Sequence, residues 1–123
     1  MPLPLVSILL PVRNAEATLD SSIASLFAQT YRRFEIIAIN DGSSDRSGDL
    51  LDTWARREQR LRVTHTPTEG LVSALNRAAA LALGPLLARH DADDLSLPER
   101  LRRQVLYAQR YPEVAALGSR VSI

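Results

Sequence analysis

Residues 34–45 read FEIIAINDGSSD. The first seven are mostly branched or aromatic, and strand alternation puts Ile37 and Ile39 on one face with Ile36 and Ala38 on the other. A strand that is apolar on both faces belongs in a sheet covered on both sides, as parallel sheets are. The polar cluster DGSSD then stops it. Asp-Gly is a strong turn pair, and Asp45 stands where a helix N-cap is wanted.

The same beat runs outward in both directions. LVSILLPV (Leu5–Val12) is a second short apolar run, read as a buried strand, and Asn14 is positioned to cap a helix carrying Leu19, Ile23, Leu26 and Phe27 at helical spacing. A helix over about Asp45 to Arg60 turns Leu50, Leu51 and Trp54 inward, and LRVTH (Leu61–His65) is the next strand. An Ala/Leu-rich helix from about Leu71 to Leu83 is ended by Gly84-Pro85. LLARH (Leu86–His90) is a fourth strand. A helix from Ser96 or Leu97, with Pro98 near its first turn, runs to about Tyr111, and EVAALGSRVSI is read as a fifth strand. Strands alternating with helices predict one α/β domain over residues 1–123, a Rossmann-like three-layer α/β/α sandwich around a mostly parallel sheet.

Composition narrows the chemistry. The 123 residues are 46% apolar and 24% charged, with a formal net charge of +1, so charge alone points to no nucleic-acid partner. All basic residues are arginine, which excludes Schiff-base and P-loop lysine chemistry. There is no cysteine, which excludes thiol catalysis and thiolate zinc sites. The apolar N-terminus is interrupted by proline and lacks a basic leader, so a soluble, cytoplasmic chain is expected, with the full-length parent peripheral to the inner face of a membrane.

Function is read where the polar residues fall. In open parallel sheets ligands sit beyond the carboxyl ends of the strands. There the chain carries PVRNAE, NDGSSD and HDADD, so that Arg13, Glu16, Asp41, Ser43, Asp91 and Asp93 converge on one rim. On an extended backbone Asp91 and Asp93 share a face and suit one hard, oxygen-seeking cation, Mg2+ or Mn2+, whose shell a diphosphate would complete. The bland alternative is a solvated turn with Asp94 or Ser96 capping a helix. Asp41 is either turn chemistry or an acceptor for a base N–H or a ribose hydroxyl. His90 is read as a packed strand histidine, Trp54 as packing, and the arginine runs RREQRLR and RLRRQ as solvated helix faces. Neither G-x-G-x-x-G nor the P-loop pattern is present.

These elements, in this order, resemble the family 2 glycosyltransferases, the inverting GT-A type. P-x-x-N (Pro11–Asn14), Q-T (Gln29-Thr30), D-G-S-x-D (Asp41–Asp45), A-L-N (Ala74–Asn76), D-A-D-D (Asp91–Asp94) and P-x-R-L (Pro98–Leu101) follow one another over about Leu5 to Gly118. The resemblance implies a nucleotide-diphosphate sugar donor, most often a UDP-sugar, a divalent metal (Mn2+ or Mg2+), and hexosyl transfer in bacterial cell-envelope polysaccharide biosynthesis. By position, it implies that Pro11, Val12 and Arg13 line the nucleotide pocket. Glu16 would lie near the base or ribose, and Asp41 would bind the base. Asp91 would face the ribose and the metal shell, Ala92 would sit between the carboxylates, and Asp93 would be the principal metal ligand. Asn76 would support the site from its helix. Asn40 stands where relatives often have an acid.

Enzymes of this type continue past the fifth strand into an acceptor-binding half that supplies the base for the acceptor hydroxyl of a saccharide, lipid-linked or protein acceptor. The chain is therefore expected to be the donor-binding part, with no catalytic base of its own and an exposed sheet edge that favours self-association. The alternative is a non-catalytic nucleotide-binding or interaction module of this fold. A nucleotidyltransferase of the pyrophosphorylase kind would want a glycine-rich basic loop after the first strand, and a receiver-like domain would want a lysine; the sequence has neither.

Overall fold

The structure, a computed structural model, describes residues 3–111. FEIIAIND (Phe34–Asp41) forms β2, buried along its whole length. It is hydrogen-bonded on one side to β1 (Val6–Val12) and on the other to β3 (Leu61–Thr66). A short fourth strand, β4 (Leu86–Arg89), pairs with the far side of β1, and all pairings are parallel, in the order β3-β2-β1-β4. The α/β class with a parallel sheet is as the sequence predicts. The expected fifth strand lies outside the described residues.

Both faces of the sheet are apolar and each has its own helices. Ile8, Leu10, Ile36 and Ala38 pack against Leu19, Ile23 and Leu26 of α1 (Leu19–Phe27), Leu51 of α2 (Ser47–Arg57), and Leu101 and Val105 of α4 (Arg100–Arg110). Leu9, Ile37 and Ile39 face Ala74 and Ala78 of α3 (Leu71–Leu81), whose small residues let the helix lie close to the sheet. Trp54 is packing, stacked on Phe27 with ring centroids 5.7 Å apart.

This one-helix, three-helix split follows from strand order. The chain steps from β1 to β2 to β3 in one direction, then returns across the sheet to β4. With right-handed crossovers the returning helix, α3, must cover the opposite face. The reversal leaves a crevice between the carboxyl ends of β1 and β4, the place where open α/β sheets bind ligands.

Several helix ends differ from the expectation, and at Asn14 and beyond Leu81 polar groups have found partners outside the helix. Asn14 does not cap α1. It sits at φ +49°, its Oδ1 accepts from the Ser44 N–H, and the helix begins at Leu19 after a turn closed on the Ala15 carbonyl. Helix α2 is shorter at both ends than predicted, and α4 begins at Arg100 rather than near Ser96. Arg100 is also no solvated residue: it is 8% exposed. Helix α3 stops at Leu81 because the next N–H groups are claimed elsewhere. Leu83 N–H donates to Glu35 Oε2 (2.7 Å) and Gly84 N–H to Ser7 Oγ (2.8 Å). A Cβ at Gly84 would meet the Leu5 carbonyl oxygen at 2.3 Å. Arg62, in the other arginine run, pairs with Glu35 (2.8 Å).

Candidate functional site

Two adjoining cavities, each about 270 Å³, open at the carboxyl end of the sheet and share Pro11 and Arg13. One lies on the α3 side, lined also by Val12, Asp41, Gly70, Leu71 and Ala74. The other lies in the crevice between β1 and β4, lined also by Asn14, Ala15, Thr18, Ala92 and Asp93. Together they form a trough with Asp41 at one end and Asp93 at the other. A larger cavity of about 520 Å³ lies away from these strand ends, between Tyr31–Arg33 and α4, and its walls are mainly apolar.

The rim is made rigid by DGSSD, which does structural work the sequence reading gave only to turns and caps. Ser43 Oγ accepts from the Asn14 N–H (3.0 Å), Ser47 Oγ from the Ala15 N–H (2.8 Å), and Asp45 Oδ2 from the Glu16 N–H (3.1 Å). Three successive N–H groups of the loop after β1 are thus satisfied by the loop after β2 and the first residue of α2. Asp45 also accepts from the Ser47 N–H at 2.9 Å, next to the start of α2; hydrogen bonding from Ser47 holds its carboxyl below the usual range. Asp41 is 5% exposed, and its two oxygens accept from the Glu69 (2.7 Å) and Gly70 (3.1 Å) N–H groups, fixing the entry to α3.

The DADD stretch is a turn, closed by the Asp94 N–H on the Asp91 carbonyl (3.0 Å). The strand has ended at Arg89, so the alternation that would put Asp91 and Asp93 on one face does not extend to them. Asp93 is exposed on the cavity wall. Asp91 Oδ1 is held by Arg89 Nε at 3.0 Å.

Helix α1 carries this turn on a polar stripe. Thr18 Oγ1 donates to the Ala92 carbonyl (3.0 Å) and Ser22 Oγ to the Asp91 carbonyl (3.2 Å). Ser25 Oγ accepts from the Ser96 N–H (2.9 Å), while Gln29 donates to the Leu97 carbonyl and accepts from the Leu101 N–H. Thr30, the other half of Q-T, donates through its N–H to the Pro98 carbonyl (2.9 Å).

Beneath the turn lies His90, 2% exposed. Arg100 Nη1 donates to its Nδ1 (3.2 Å), so the ring proton sits on Nε2 and is donated to Ser22 Oγ (2.7 Å). Burial, with the Arg100 charge beside it, pushes the His90 pKa down to about 4, and the ring is neutral near pH 7. The packed-histidine reading fits this position. Burial also lowers the pKa of Arg100, while the Asp94 and Asp91 carboxylates oppose that shift. The P-x-R-L arginine is therefore a buried cation, held by the Arg89 carbonyl (2.6 Å), Ser96 Oγ (3.0 Å) and His90.

Of the residues expected in the site, Pro11, Val12, Arg13, Asp41, Ala92 and Asp93 line the trough. Asp91 neighbours it, turned to Arg89. Glu16 is exposed beyond the rim, and Asn76 lies on the outward face of α3, two residues from each of the buried Ala74 and Ala78; neither lines a cavity. The sequence reading missed Thr18, Ser22, Ser25 and Gln29. Their signal was present as polar residues at positions 18, 22, 25 and 29, one helical face beside the apolar Leu19, Ile23 and Leu26.

The family model described as Glycosyl transferase family 2 matches residues 7–123. The chain belongs to this family. Among glycosyltransferase relatives, an uncharacterized one from Haemophilus influenzae is 35% identical over 121 residues, covering 98% of this chain and 38% of the relative. Uncharacterized glycosyltransferase EpsJ of Bacillus subtilis is 42% identical over 92 residues, 75% of this chain and 27% of EpsJ. The family 2 chain thus spans less than two fifths of either protein. Its fold is that of Staphylococcus aureus TarS 1-349 solved with UDP-GlcNAc (TM-score 0.78, 22% identity, 88% of this chain and 32% of that one). It is equally that of mannosyltransferase PcManGT from Pyrobaculum calidifontis, solved with GDP-Man and Mn2+ (TM-score 0.77, 23% identity, 88% and 33%). No helix among the described residues of this family 2 chain is long and apolar enough to cross a membrane.

Proposed function

We propose that this chain binds the nucleotide and diphosphate of a sugar donor, a UDP-sugar, for transfer to an acceptor hydroxyl with inversion. The observation that carries the reading is the trough joined through Pro11 and Arg13, with Asp41 at one end and Asp93 at the other, at the switch point of a family 2 fold. Nucleotide sugars bound in the structures of TarS and PcManGT support the ligand class.

In this reading the base and ribose occupy the α3-side cavity. Gly70 and Leu71 leave room there, and the buried Asp41 carboxylate fixes the wall while offering acceptor lone pairs beyond its two backbone bonds. The diphosphate occupies the crevice, where Arg13, which lines both cavities, meets its charge. Asp93 presents an exposed carboxylate on that wall, Asp91 two residues before it pairs with Arg89, and among the described residues no three acidic or histidine groups are placed to hold a metal ion by themselves. That donor set fits a hard cation that takes one or two carboxylates and fills its shell with phosphate oxygens and water. Mg2+ or Mn2+ held by Asp93, with Asp91 near, would supply Lewis-acid relief of the charge on the departing diphosphate. The chain's own part is to bind, orient and anchor the leaving group, and the acceptor base belongs to a further part of the protein.

Amide NMR with UDP and Mg2+ tests the location. Shifts at Arg13, Gly70 and Ala92 support the reading. Shifts confined to Tyr31, Arg33 and Leu106, around the larger cavity, or no shifts with any uridine or guanosine diphosphate, contradict it.

A further inference from the structure

We infer that the polar stripe of α1 is a positioning device for the donor site, with Thr18 and Ser22 setting where the Asp93 carboxylate stands. The inference rests on the donor-binding reading above and adds residues to it.

Asp93 is exposed, and among the described residues no hydrogen bond or ion pair holds its carboxylate. Its position is therefore inherited from its backbone. The two carbonyls immediately before it, Asp91 and Ala92, are held by Ser22 Oγ and Thr18 Oγ1. The Asp91 carbonyl takes a second bond from the Asp94 N–H, which closes the turn around Asp93. Ser22 lies on α1 and Thr18 immediately before it, at the N-cap, and the helix cannot shift easily, because Leu19, Ile23 and Leu26 on its neighbouring face are fully buried.

The two anchors differ in kind. Ser22 is fully buried and is the acceptor for His90 Nε2–H, so its hydroxyl must donate onward, and the Asp91 carbonyl is within its reach. Thr18 is exposed, lines the crevice with Asp93, and gives its hydroxyl to the Ala92 carbonyl. Removing the Thr18 hydroxyl therefore loosens the turn without opening the core. In the loop after α1 the same kind of bond recurs for a different purpose. Thr30 Oγ1 donates to the Pro98 carbonyl (3.2 Å), five residues past Asp93, and tethers the start of α4. Thr30 serves as the control.

The experiment titrates Mn2+ into the chain with UDP present, reading free Mn2+ by electron paramagnetic resonance, alongside urea denaturation of the free chain. Wild type, Thr18→Val, Thr18→Ser and Thr30→Val are compared. Expected is Mn2+ binding about tenfold weaker in Thr18→Val, as for the loss of an outer-shell partner. Thr18→Ser restores it to about twofold of wild type or better, Thr30→Val leaves it unchanged, and the Thr18 variants keep the wild-type urea midpoint. Equal binding in wild type and Thr18→Val overturns the inference while leaving donor binding intact. Parallel losses in Thr18→Val and Thr30→Val, tracking stability, overturn it as well, since the stripe would then only hold the fold. A wild-type chain that takes up neither Mn2+ nor UDP overturns the donor-binding reading and this inference together.

Discussion

Two glycines separate conformational strain from steric exclusion. Gly42 and Gly70 both have positive φ, +67° and +100°; with ψ +166° Gly70 lies in a region essentially reserved for glycine, where a side chain costs about 1–3 kcal/mol. Around Gly70 a Cβ would meet nothing within 4 Å. At Gly42 it would meet the Thr68 backbone nitrogen at 2.6 Å. Gly70→Ala is therefore expected to lower unfolding free energy by about 1–3 kcal/mol, and Gly42→Ala by clearly more, in urea denaturation; equal losses would contradict the packing described. Asp41→Ala should cost about 1–3 kcal/mol as well, because it strips the partners from two backbone N–H groups. Single residues were the scale at which the sequence was hardest to read. Asp41 offered turn or ligand roles, and the structure adds a third, the anchoring of α3. Asn14 could be foreseen as a polar residue that stops a strand, but its partner, Ser44, is thirty positions away and no local pattern announces it.

At the scale of elements the sequence was legible wherever burial set the pattern. β2 shows on its two faces the residues that alternation assigned to them, since a one-residue slip would put Ile37 and Ile36 on the wrong sides. Element ends were less legible, because they are fixed by long-range polar bonds. The foot of the sheet is the clearest case. Glu35 lies near the start of β2, 7% exposed, and gathers Ser7 Oγ (2.6 Å), Leu83 N–H and Arg62. Burial alone would raise its pKa, but those donors outweigh it and hold the carboxyl below its ordinary value. The unfolded chain takes up this proton at a higher pH than the folded one. Glu35 therefore contributes stability above the ordinary glutamate pKa of about 4.3, and that contribution is lost as pH falls through its lower folded value. Urea midpoints measured from pH 7 to pH 3 should fall in that acid window, and Glu35→Gln should be less stable at pH 7 and lose less on acidification. A variant with the wild-type slope would show that the Glu35 network does not hold the α3–β4 connection.

For the molecule as a whole, the strand order brings three chain segments, far apart in sequence, to one crevice. The resemblance in motif order already pointed there. What the motifs could not reveal was the division of labour among them: Q-T ties α1 to the start of α4, the serines of D-G-S-S-D and the arginine of P-x-R-L support the rim from behind, while P-x-x-N, Asp41 and Asp93 face the space. The central claim is that this space takes a nucleotide diphosphate through Asp93 and a divalent cation. Calorimetric titration of UDP into the chain, with Mn2+ and with chelator, on wild type and Asp93→Ala, tests it most directly. The account predicts binding by wild type with Mn2+ that weakens at least about tenfold, or about 1.4 kcal/mol, on chelation or in Asp93→Ala. UDP binding indifferent to both, or no binding of UDP, GDP or dTDP under any of these conditions, would contradict it.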